Sequence, residues 1–246
     1  MRIVRGLDEA RHFVALRNDF TASKRASEEL AQPTQELSGS VMSPSELVTH
    51  ILQEVRLRGD DAVREFSLRF DGVELGALEV SQEEILGARG QVPADLLAAL
   101  ELAAQRIRDF HQATLPRNWV DLEQGLGELV RPLERVGLYA PGGTAAYPST
   151  VLMTAIPARV AGVKEVILTT PRRGDEPLNP AVMVAAEIAG VDAFYQVGGV
   201  PAIAAMAYGT ESIPKVDKIC GPGNIFVAYA KKLVRGQVDI DGIFGP

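Results

Sequence analysis

Val136-Gly-Leu-Tyr139, followed by Ala-Pro-Gly142-Gly143 and a helix-forming stretch from about Ser149, is the first of four similar units that decide the fold. In each unit a short apolar run is followed by a turn, usually rich in glycine, and then by a helical segment. The apolar runs are residues 136–139, 165–169, 193–197 and 216–220. Short apolar strands that alternate with helices are typical of a parallel sheet covered on both faces. The sequence therefore predicts an α/β protein.

The turns of three units carry paired or nearly paired glycines, at residues 142–143, 198–199 and 221–223. Right-handed crossovers place all these turns at the carboxyl edge of the sheet, where open α/β sheets bind ligands. Glycines there let backbone N–H groups at helix N-termini approach a phosphate. No turn matches G-x-G-x-x-G or the P-loop lysine motif. A nucleotide site and glycines that only close tight turns are both open interpretations.

The charge distribution argues against a polyanionic partner. The net charge of the 246 residues is −7, and residues 136–246 hold nine basic and nine acidic side chains, so the excess acid lies in the first 135 residues. An acidic half and a neutral half offer no basic face for nucleic acid or anionic lipid. A small ligand held by backbone dipoles remains compatible with this balance.

Chain length, cysteine content and the N-terminal sequence indicate an ordinary cytoplasmic protein. The length fits one large domain or two small ones. A single cysteine excludes an internal disulfide framework and fits a reducing compartment. The first residues show no apolar signal-peptide core, and no apolar run approaches the ~20 residues that cross a bilayer.

The first half of the chain predicts a mainly helical region that ends in a β-hairpin. Short helices are predicted from Asp8 and over residues 23–30. Ser43-Pro44-Ser45-Glu46 is a strong helix start, with Ser43 as N-cap and Glu46 completing a capping box. Further elements are helices over residues 61–70 and 93–111, a strand over 73–80, a capping box at 81–84 and a hairpin over 119–134 that turns at 124–125.

Two features of the second half break the local rules. Pro157 lies midway along the predicted helix 149–161, where it removes a backbone hydrogen bond and predicts a kink. Residues 240–246 resemble a segment about to enter another strand. We interpret them as a chain cut at a domain boundary, with a frayed terminus as the alternative.

Most of the side chains with chemical potential favour structural roles. His12, His50 and His111 lie on predicted helices without metal-ligand spacing. Cys220 ends a strand beside a helix N-terminus, a location that lowers a thiol pKa, but no base is near it in sequence. A small buried hydrophobic side chain is the preferred interpretation. Cations in the last turns of the final helix, which offset its dipole, are Lys231, Lys232 and Arg235.

Tyr139 and Asn224 are the more promising candidates for ligand contact. Tyr139 ends the first strand, where its ring could stack on a base or pack in the core. Asn224 follows Gly221-Pro-Gly223 at a helix start, where it is either an N-cap or a ligand contact. Position alone favours the cap.

Two long stretches resemble the signatures of histidinol dehydrogenases. The first is residues 136–162, which begins Val136-Gly-Leu-Tyr-Ala-Pro-Gly-Gly143. The second is residues 208–227, which contains Cys220-Gly-Pro-Gly-Asn224. Residues 69–72 (Arg-Phe-Asp-Gly) and 107–111 (Ile-Arg-Asp-Phe-His) agree, so the resemblance covers essentially the whole chain.

The resemblance implies an aldehyde-dehydrogenase-like fold with incomplete Rossmann-like domains and an intertwined homodimer. It also implies a zinc-dependent, NAD-linked, two-step oxidation of L-histidinol to L-histidine in histidine biosynthesis. The family's NAD contacts carry over to Tyr139 and Asn224, with the glycine loops Gly142, Gly143, Gly221 and Gly223 beside them. The domains implied are residues 1–134 (helical region with hairpin, part of a first incomplete Rossmann-like domain), 135–238 (Rossmann-like NAD-binding domain) and 239–246 (start of a truncated further segment).

The sequence departs from the family in two places. Pro201 stands where the family usually has a glutamine that contacts NAD, and proline supplies neither an amide side chain nor a backbone donor. The family's zinc ligands and its acid–base pair belong to sequence beyond residue 246. The resemblance therefore predicts no catalytic or metal-binding residue in this chain, and Zn²⁺ only in the full-length enzyme.

Three functions follow as hypotheses. The first is the N-terminal part of a histidinol dehydrogenase that binds NAD and is inactive by itself. The second is a related NAD-linked dehydrogenase of another small alcohol. The third is a non-catalytic module that binds a nucleotide or a partner chain. Self-association through exposed apolar surface is expected in each case.

Overall fold

The computed structural model of the chain describes residues 42–142, 146–174 and 176–243. The helices are α1 (Pro44–Arg58), α2 (Asp60–Asp71), α3 (Gln82–Gly87), α4 (Ala94–Ala113), α5 (Pro148–Val160), α6 (Pro180–Ala189), α7 (Gly199–Tyr208) and α8 (Ile225–Val234), with a 3-10 turn at Ala88–Gln91. The strands are β1 (Trp119–Asp121), β2 (Leu126–Glu128), β3 (Arg135–Tyr139), β4 (Glu165–Thr169), β5 (Ala193–Tyr195), β6 (Lys218–Cys220) and β7 (Asp239–Ile240).

The last five strands form one parallel sheet in the order β5-β4-β3-β6-β7. Counted from β3, this order is 3-2-1-4-5, which is the strand order of the Rossmann fold. The predicted α/β class with a Rossmann-like parallel sheet is therefore confirmed. The sequence predicted four of these strands. The fifth, β7, pairs with β6 at residues 239 and 240, where the prediction placed only the start of a further segment.

Alternation along β3 explains why helices cover both faces of the sheet. Val136 and Leu138 belong to an apolar cluster with residues of α5 and α6. Gly137 faces the other way, towards Met206 of α7. Helices α7 and α8 pack together on that side, and α2 packs against α7. Each β3 side chain from Val136 to Tyr139 is buried, as expected for a central parallel strand.

The helix starts follow local sequence signals. The backbone N–H of Ser43 donates to Glu46 Oε2 at 2.7 Å, and the Glu46 N–H donates to Ser43 Oγ at 3.3 Å, which confirms the predicted capping box. Ser81 Oγ accepts a hydrogen bond from the N–H of Glu84. Helix α6 begins after Asn179, which accepts from Ala181, and Pro180 occupies its first position.

The first half agrees with the sequence in most elements. The hairpin is confirmed, because β1 and β2 pair antiparallel. The strand predicted over residues 73–80 is wrong; only Glu79 bridges Tyr195, antiparallel to β5. Pro157 lies inside α5, as predicted, and the kink stays a prediction. The elements predicted before residue 42 lie outside the described residues, and the three domain boundaries also stay predictions.

None of the helices in the described ranges is long and apolar enough to cross a membrane.

Replacement of Gly137 by alanine should destabilise the fold, because the new Cβ would lie 2.5 Å from Met206 Sδ and 3.2 Å from Val216. Overpacking of this kind costs about 1–3 kcal/mol. We expect a lower urea midpoint for unfolding, measured by far-ultraviolet circular dichroism. Gly87→Ala is the matched control, since Gly87 is helical with open space around it, and it should stabilise by about 0.5–1 kcal/mol. An unchanged midpoint for Gly137→Ala would contradict the packing described here.

Candidate functional site

The strand order reverses between β3 and β6, and this position brings two of the predicted glycine turns together. Leu138 is paired with Cys220, so Tyr139 and Gly221, the residues that follow this pair, lie side by side at the carboxyl edge. The turn after β3 leads to Gly142, and the turn after β6 leads to Asn224. A reversal of strand order opens a crevice at this edge, where Rossmann-like sheets bind their ligands.

The glycines allow the turns to pack directly on one another. A Cβ on Gly221 would lie 2.1 Å from the Tyr139 carbonyl oxygen, and one on Gly142 would lie 2.8 Å from the Pro171 carbonyl oxygen. A Cβ on Gly198 would lie 2.3 Å from Pro171 Cβ. Close packing thus requires glycine at these positions without reference to a ligand, although it leaves a nucleotide site open. Gly143 lies outside the described residues.

Tyr139 is buried and bonded to the third glycine turn. Its side chain is 4% exposed, and its hydroxyl accepts a hydrogen bond from the N–H of Gly199 at 3.2 Å. That N–H belongs to the first residue of α7, so the phenol caps a helix N-terminus. Burial raises the pKa of Tyr139 to about 12, so the phenol is neutral at physiological pH. Of the two interpretations from sequence, this packing favours the core role for the ring.

Asp71, at the end of α2, is a neighbour of Tyr139 that the sequence analysis did not single out. Its burial raises its pKa to about 6, and the charge of Arg173 opposes that rise. The Asp71 carbonyl accepts from the N–H of Gly174, which ties α2 to the turn after β4. The charges of Asp71 and Arg173 both act on the Tyr139 phenol. A carboxyl and a guanidinium therefore lie near one end of the crevice.

Asn224 is the N-cap of α8, as its position favours. Its Oδ1 accepts from the N–H of Phe226 at 3.1 Å and from the N–H of Val227 at 3.0 Å. The residue is exposed, and its Nδ2 donates to none of the residues that the structure describes. The cap therefore fixes the side chain and directs its other polar atom away from the helix. The amide oxygen thus stabilises the start of α8, and the amide nitrogen can donate to a ligand.

Lys231 has a role that its sequence position did not indicate. The prediction that it only offsets the dipole of α8 is wrong, because the side chain is fully buried. Its Nζ donates to the Gly221 carbonyl at 2.9 Å and to Asp241 Oδ1. Asp241 Oδ2 accepts from the Gly221 N–H at 2.8 Å. Both polar groups of one turn residue are thus held by a buried ion pair. Lys232, the next residue, is exposed as expected.

Pro201 is buried in the first turn of α7. The first turn is where a proline costs a helix little, since the N–H that it lacks has no partner within the helix. The substitution is therefore compatible with the fold. Pro201 has no side-chain amide to offer a ligand, and it is buried. Both facts support the prediction that the NAD contact made by the family's glutamine is absent here.

Cys220 packs partly buried against the main apolar cluster, which is the interpretation that the sequence favoured. The adjacent helix N-terminus does not give this thiol a lowered pKa. Burial raises the pKa of Cys220 to about 11, and the Asp241 carboxylate adds to the rise. A neutral thiol is a poor nucleophile.

The residues described by the structure include no group of three or more His, Cys, Asp or Glu side chains that could hold a metal ion. His50 and His111 each contact a phenylalanine ring, Phe66 and Phe110 respectively. His12 lies outside the described residues. That this chain supplies no zinc ligand stays a prediction.

An open pocket of about 700 Å³ lies at the amino edge of β6 and β7, away from the glycine turns. It is lined by residues 215–217 and 235–239, which include Lys215, Asp217, Arg235 and Asp239. These charges balance, so the pocket favours no particular ligand. The carboxyl edge remains the candidate site because it combines the strand reversal, an available donor and the capped helix N-termini.

Comparisons with known proteins agree with the motifs. A family model for histidinol dehydrogenase matches residues 35–246. The histidinol dehydrogenase of Dehalococcoides mccartyi strain CBDB1 is 49% identical over 249 residues, covering 100% of this chain and 56% of that protein. That of Syntrophotalea carbinolica is 54% identical over 206 residues, covering 82% of this chain and 48% of that protein.

A solved structure shows the same fold. The crystal structure of histidinol dehydrogenase from Elizabethkingia anophelis has a TM-score of 0.79 and 36% sequence identity, and the match covers 84% of this chain and 49% of that one. The chain spans about half the length of the curated relatives that it matches. Since the family model covers most of the sequence and the identities are high, the chain belongs to the histidinol dehydrogenase family.

Proposed function

We propose that this chain is the NAD-binding part of a histidinol dehydrogenase, the enzyme that oxidises L-histidinol through the aldehyde to L-histidine. The dinucleotide would lie in the crevice between the turns after β3 and β6. The single observation that carries this proposal is Asn224, whose Oδ1 is fixed as the cap of α8 while its exposed Nδ2 has no partner among the described residues.

The residues of the crevice fit a dinucleotide. Asn224 Nδ2 can donate to a phosphate or ribose oxygen, and the N-terminus of α8 beside it favours a negative group. The neutral Tyr139 hydroxyl, held by Gly199, is a second polar group at the same edge. Bound NAD supplies the hydride acceptor of the oxidation. The chain's own residues bind and orient it, and their amides and hydroxyls need no change of protonation.

The remaining chemistry is proposed for the full-length enzyme. Zinc binding and proton removal require groups that the resemblance assigns to sequence beyond residue 246, and the described residues do not form a zinc site. We therefore propose that this chain does not turn over L-histidinol by itself. A histidine-producing enzyme of this kind would act in the cytoplasm.

Association of two chains is also part of the proposal. Large apolar side chains are exposed on α4 and on the hairpin, including Phe110 at 64% and Leu122 at 89%. Exposed apolar surface of this kind favours burial against another chain. A homodimer, as the family resemblance implies, would bury it.

A second candidate is an NAD-linked dehydrogenase that acts on a different small alcohol. Pro201 favours it, because a buried proline replaces the glutamine that the family resemblance predicts at this position. The two candidates differ in substrate and share the dinucleotide site. Turnover of L-histidinol against related amino alcohols, measured with the full-length enzyme, separates them.

Asn224→Asp tests the site directly. Aspartate caps a helix as well as asparagine does, so the free energy of unfolding should change by less than about 0.5 kcal/mol. The variant loses the exposed N–H donor and places a negative charge beside the phosphates, so NAD should bind at least about tenfold more weakly. Isothermal titration calorimetry measures the affinity, and thermal unfolding measures the stability.

Asn224→Ser is the matched neutral variant, because serine keeps the cap and lacks the amide without adding charge. It should also weaken NAD binding, which separates donor loss from charge repulsion. NAD affinities equal to wild type in both variants would contradict the proposed role of Asn224. A wild-type chain with no measurable NAD binding would contradict the proposed function.

Cys220 should react slowly as a nucleophile at neutral pH, because burial raises its pKa. With a pKa of about 11, its alkylation by iodoacetamide at pH 8 should be about 100-fold slower than that of free cysteine. The rate should rise with pH up to about pH 11 and should reach the free-cysteine value in urea. Because Cys220 is the only cysteine, intact-protein mass spectrometry reports it without ambiguity. Rapid alkylation of the folded chain at pH 7 would contradict the burial described.

A further inference from the structure

A buried lysine and a partly exposed aspartate hold the turn that follows β6. Lys231 Nζ lies within hydrogen-bond distance of both the Gly221 carbonyl and Asp241 Oδ1, and Asp241 Oδ2 accepts from the Gly221 N–H. The Lys231 ammonium group and the Asp241 carboxylate therefore bond to each other and to the two backbone polar groups of Gly221. The Lys231 side chain is 1% exposed and that of Asp241 is 24% exposed.

The pair is unlike the other ion pairs among the described residues. Every other lysine or arginine in such a pair has a side chain at least 27% exposed. Taking a lysine out of water is unfavourable unless the charge is paired and its hydrogens are bonded. General stability does not require such a residue, since apolar side chains of similar volume commonly serve as well. A buried Lys231 therefore calls for a more specific explanation.

Gly221 shows what the pair holds. Its φ of +117° is a conformation that only glycine adopts readily, and a Cβ there would lie 2.1 Å from the Tyr139 carbonyl oxygen. The turn is thus held in an unusual conformation directly against the end of β3. From Gly221 the chain reaches Asn224 in three residues, so the orientation of the Gly221 peptide groups helps to set where Asn224 lies relative to Tyr139.

We propose that Lys231 and Asp241 are positioning residues for the dinucleotide site, which fix the turn 221–224 so that Asn224 and Tyr139 face one crevice. This inference rests on the proposed function. Neither side chain contacts the ligand; Lys231 acts through the Gly221 carbonyl and Asp241 through the Gly221 N–H. The site is then assembled before the ligand arrives, and binding does not have to order the turn.

Hydrogen exchange of the 246-residue chain without NAD tests whether the pair fixes the turn. In Lys231→Met the exchange of the Gly221 amide, whose N–H donates to Asp241 Oδ2, should be at least about tenfold faster than in wild type, because the Gly221 carbonyl loses its partner and Asp241 loses its counter-charge. Lys232→Met is the matched control, since Lys232 is the exposed neighbour on the same helix, and it should leave the exchange of this amide unchanged. Unchanged exchange in Lys231→Met would overturn the proposal.

The double variant Lys231→Met/Asp241→Leu separates positioning from general stability. It replaces the whole pair by apolar side chains, so its thermal unfolding should be closer to wild type than that of Lys231→Met. Exchange of the Gly221 amide should still be at least about tenfold faster, because its acceptor Asp241 is gone, and calorimetry should show NAD binding weakened at least about tenfold. Exchange in β4 and α6 should be unchanged, which a merely destabilised fold would not allow.

The outcomes for the inference and for the proposed function are distinct. Wild-type NAD binding with an unweakened double variant would overturn the positioning role and leave the proposed function standing. A wild-type chain that binds no NAD would overturn the proposed function and, with it, the role towards a dinucleotide. Two single variants that keep Lys231 test the role of charge. NAD affinity closer to wild type in Asp241→Glu than in Asp241→Leu would support the charge-based account.

Discussion

The pairing of β3 with β6 is the constraint on which the rest of the site depends. These two strands are neighbours in the sheet although two strands and three helices separate them in the chain. Their register sets Tyr139 beside Gly221, and the helices that follow the two strands leave in different directions from that position. If the register moved by one residue, the side chains of β6 would exchange faces and the two turns would no longer meet. The contact of Gly221 with the end of β3 follows directly from this pairing.

Close packing and hydrogen bonding act together at that edge. Glycines allow the turns to touch, but contact alone does not decide where their polar groups point. The Tyr139 hydroxyl, Asn224 Oδ1 and the Lys231–Asp241 pair each satisfy a backbone group that a turn or a helix end would otherwise leave without a partner. Lys231 is fully buried, so removing its carboxylate partner would leave a charge away from water without compensation.

The elements could be predicted from sequence where local signals determine them. The apolar runs in front of turns identified β3 to β6, and Ser43 and Asn224 marked helix starts because capping depends on residues only a few positions apart. Strand β7 was missed because two residues give no period, and it is specified by its neighbour β6. The strand predicted over residues 73–80 was wrong for the opposite reason, since apolar residues there pack without forming a ladder. The strand order, which creates the crevice, has no local signature.

In the candidate site, too, local sequence signals identified some features, while others depend on residues distant in sequence. Tyr139 and Asn224 came from motifs, but what their atoms bond to depends on residues distant in sequence, such as Gly199 for Tyr139. Lys231 was misinterpreted because its position in the last turn of α8 has an adequate local explanation, and only the fold brings Asp241 to it. For Cys220 the packing role that the sequence favoured agrees with the structure, and burial raises its pKa although it lies beside a helix N-terminus. In each case the local rule holds in general, but the contacts and burial that the tertiary fold creates have the larger effect.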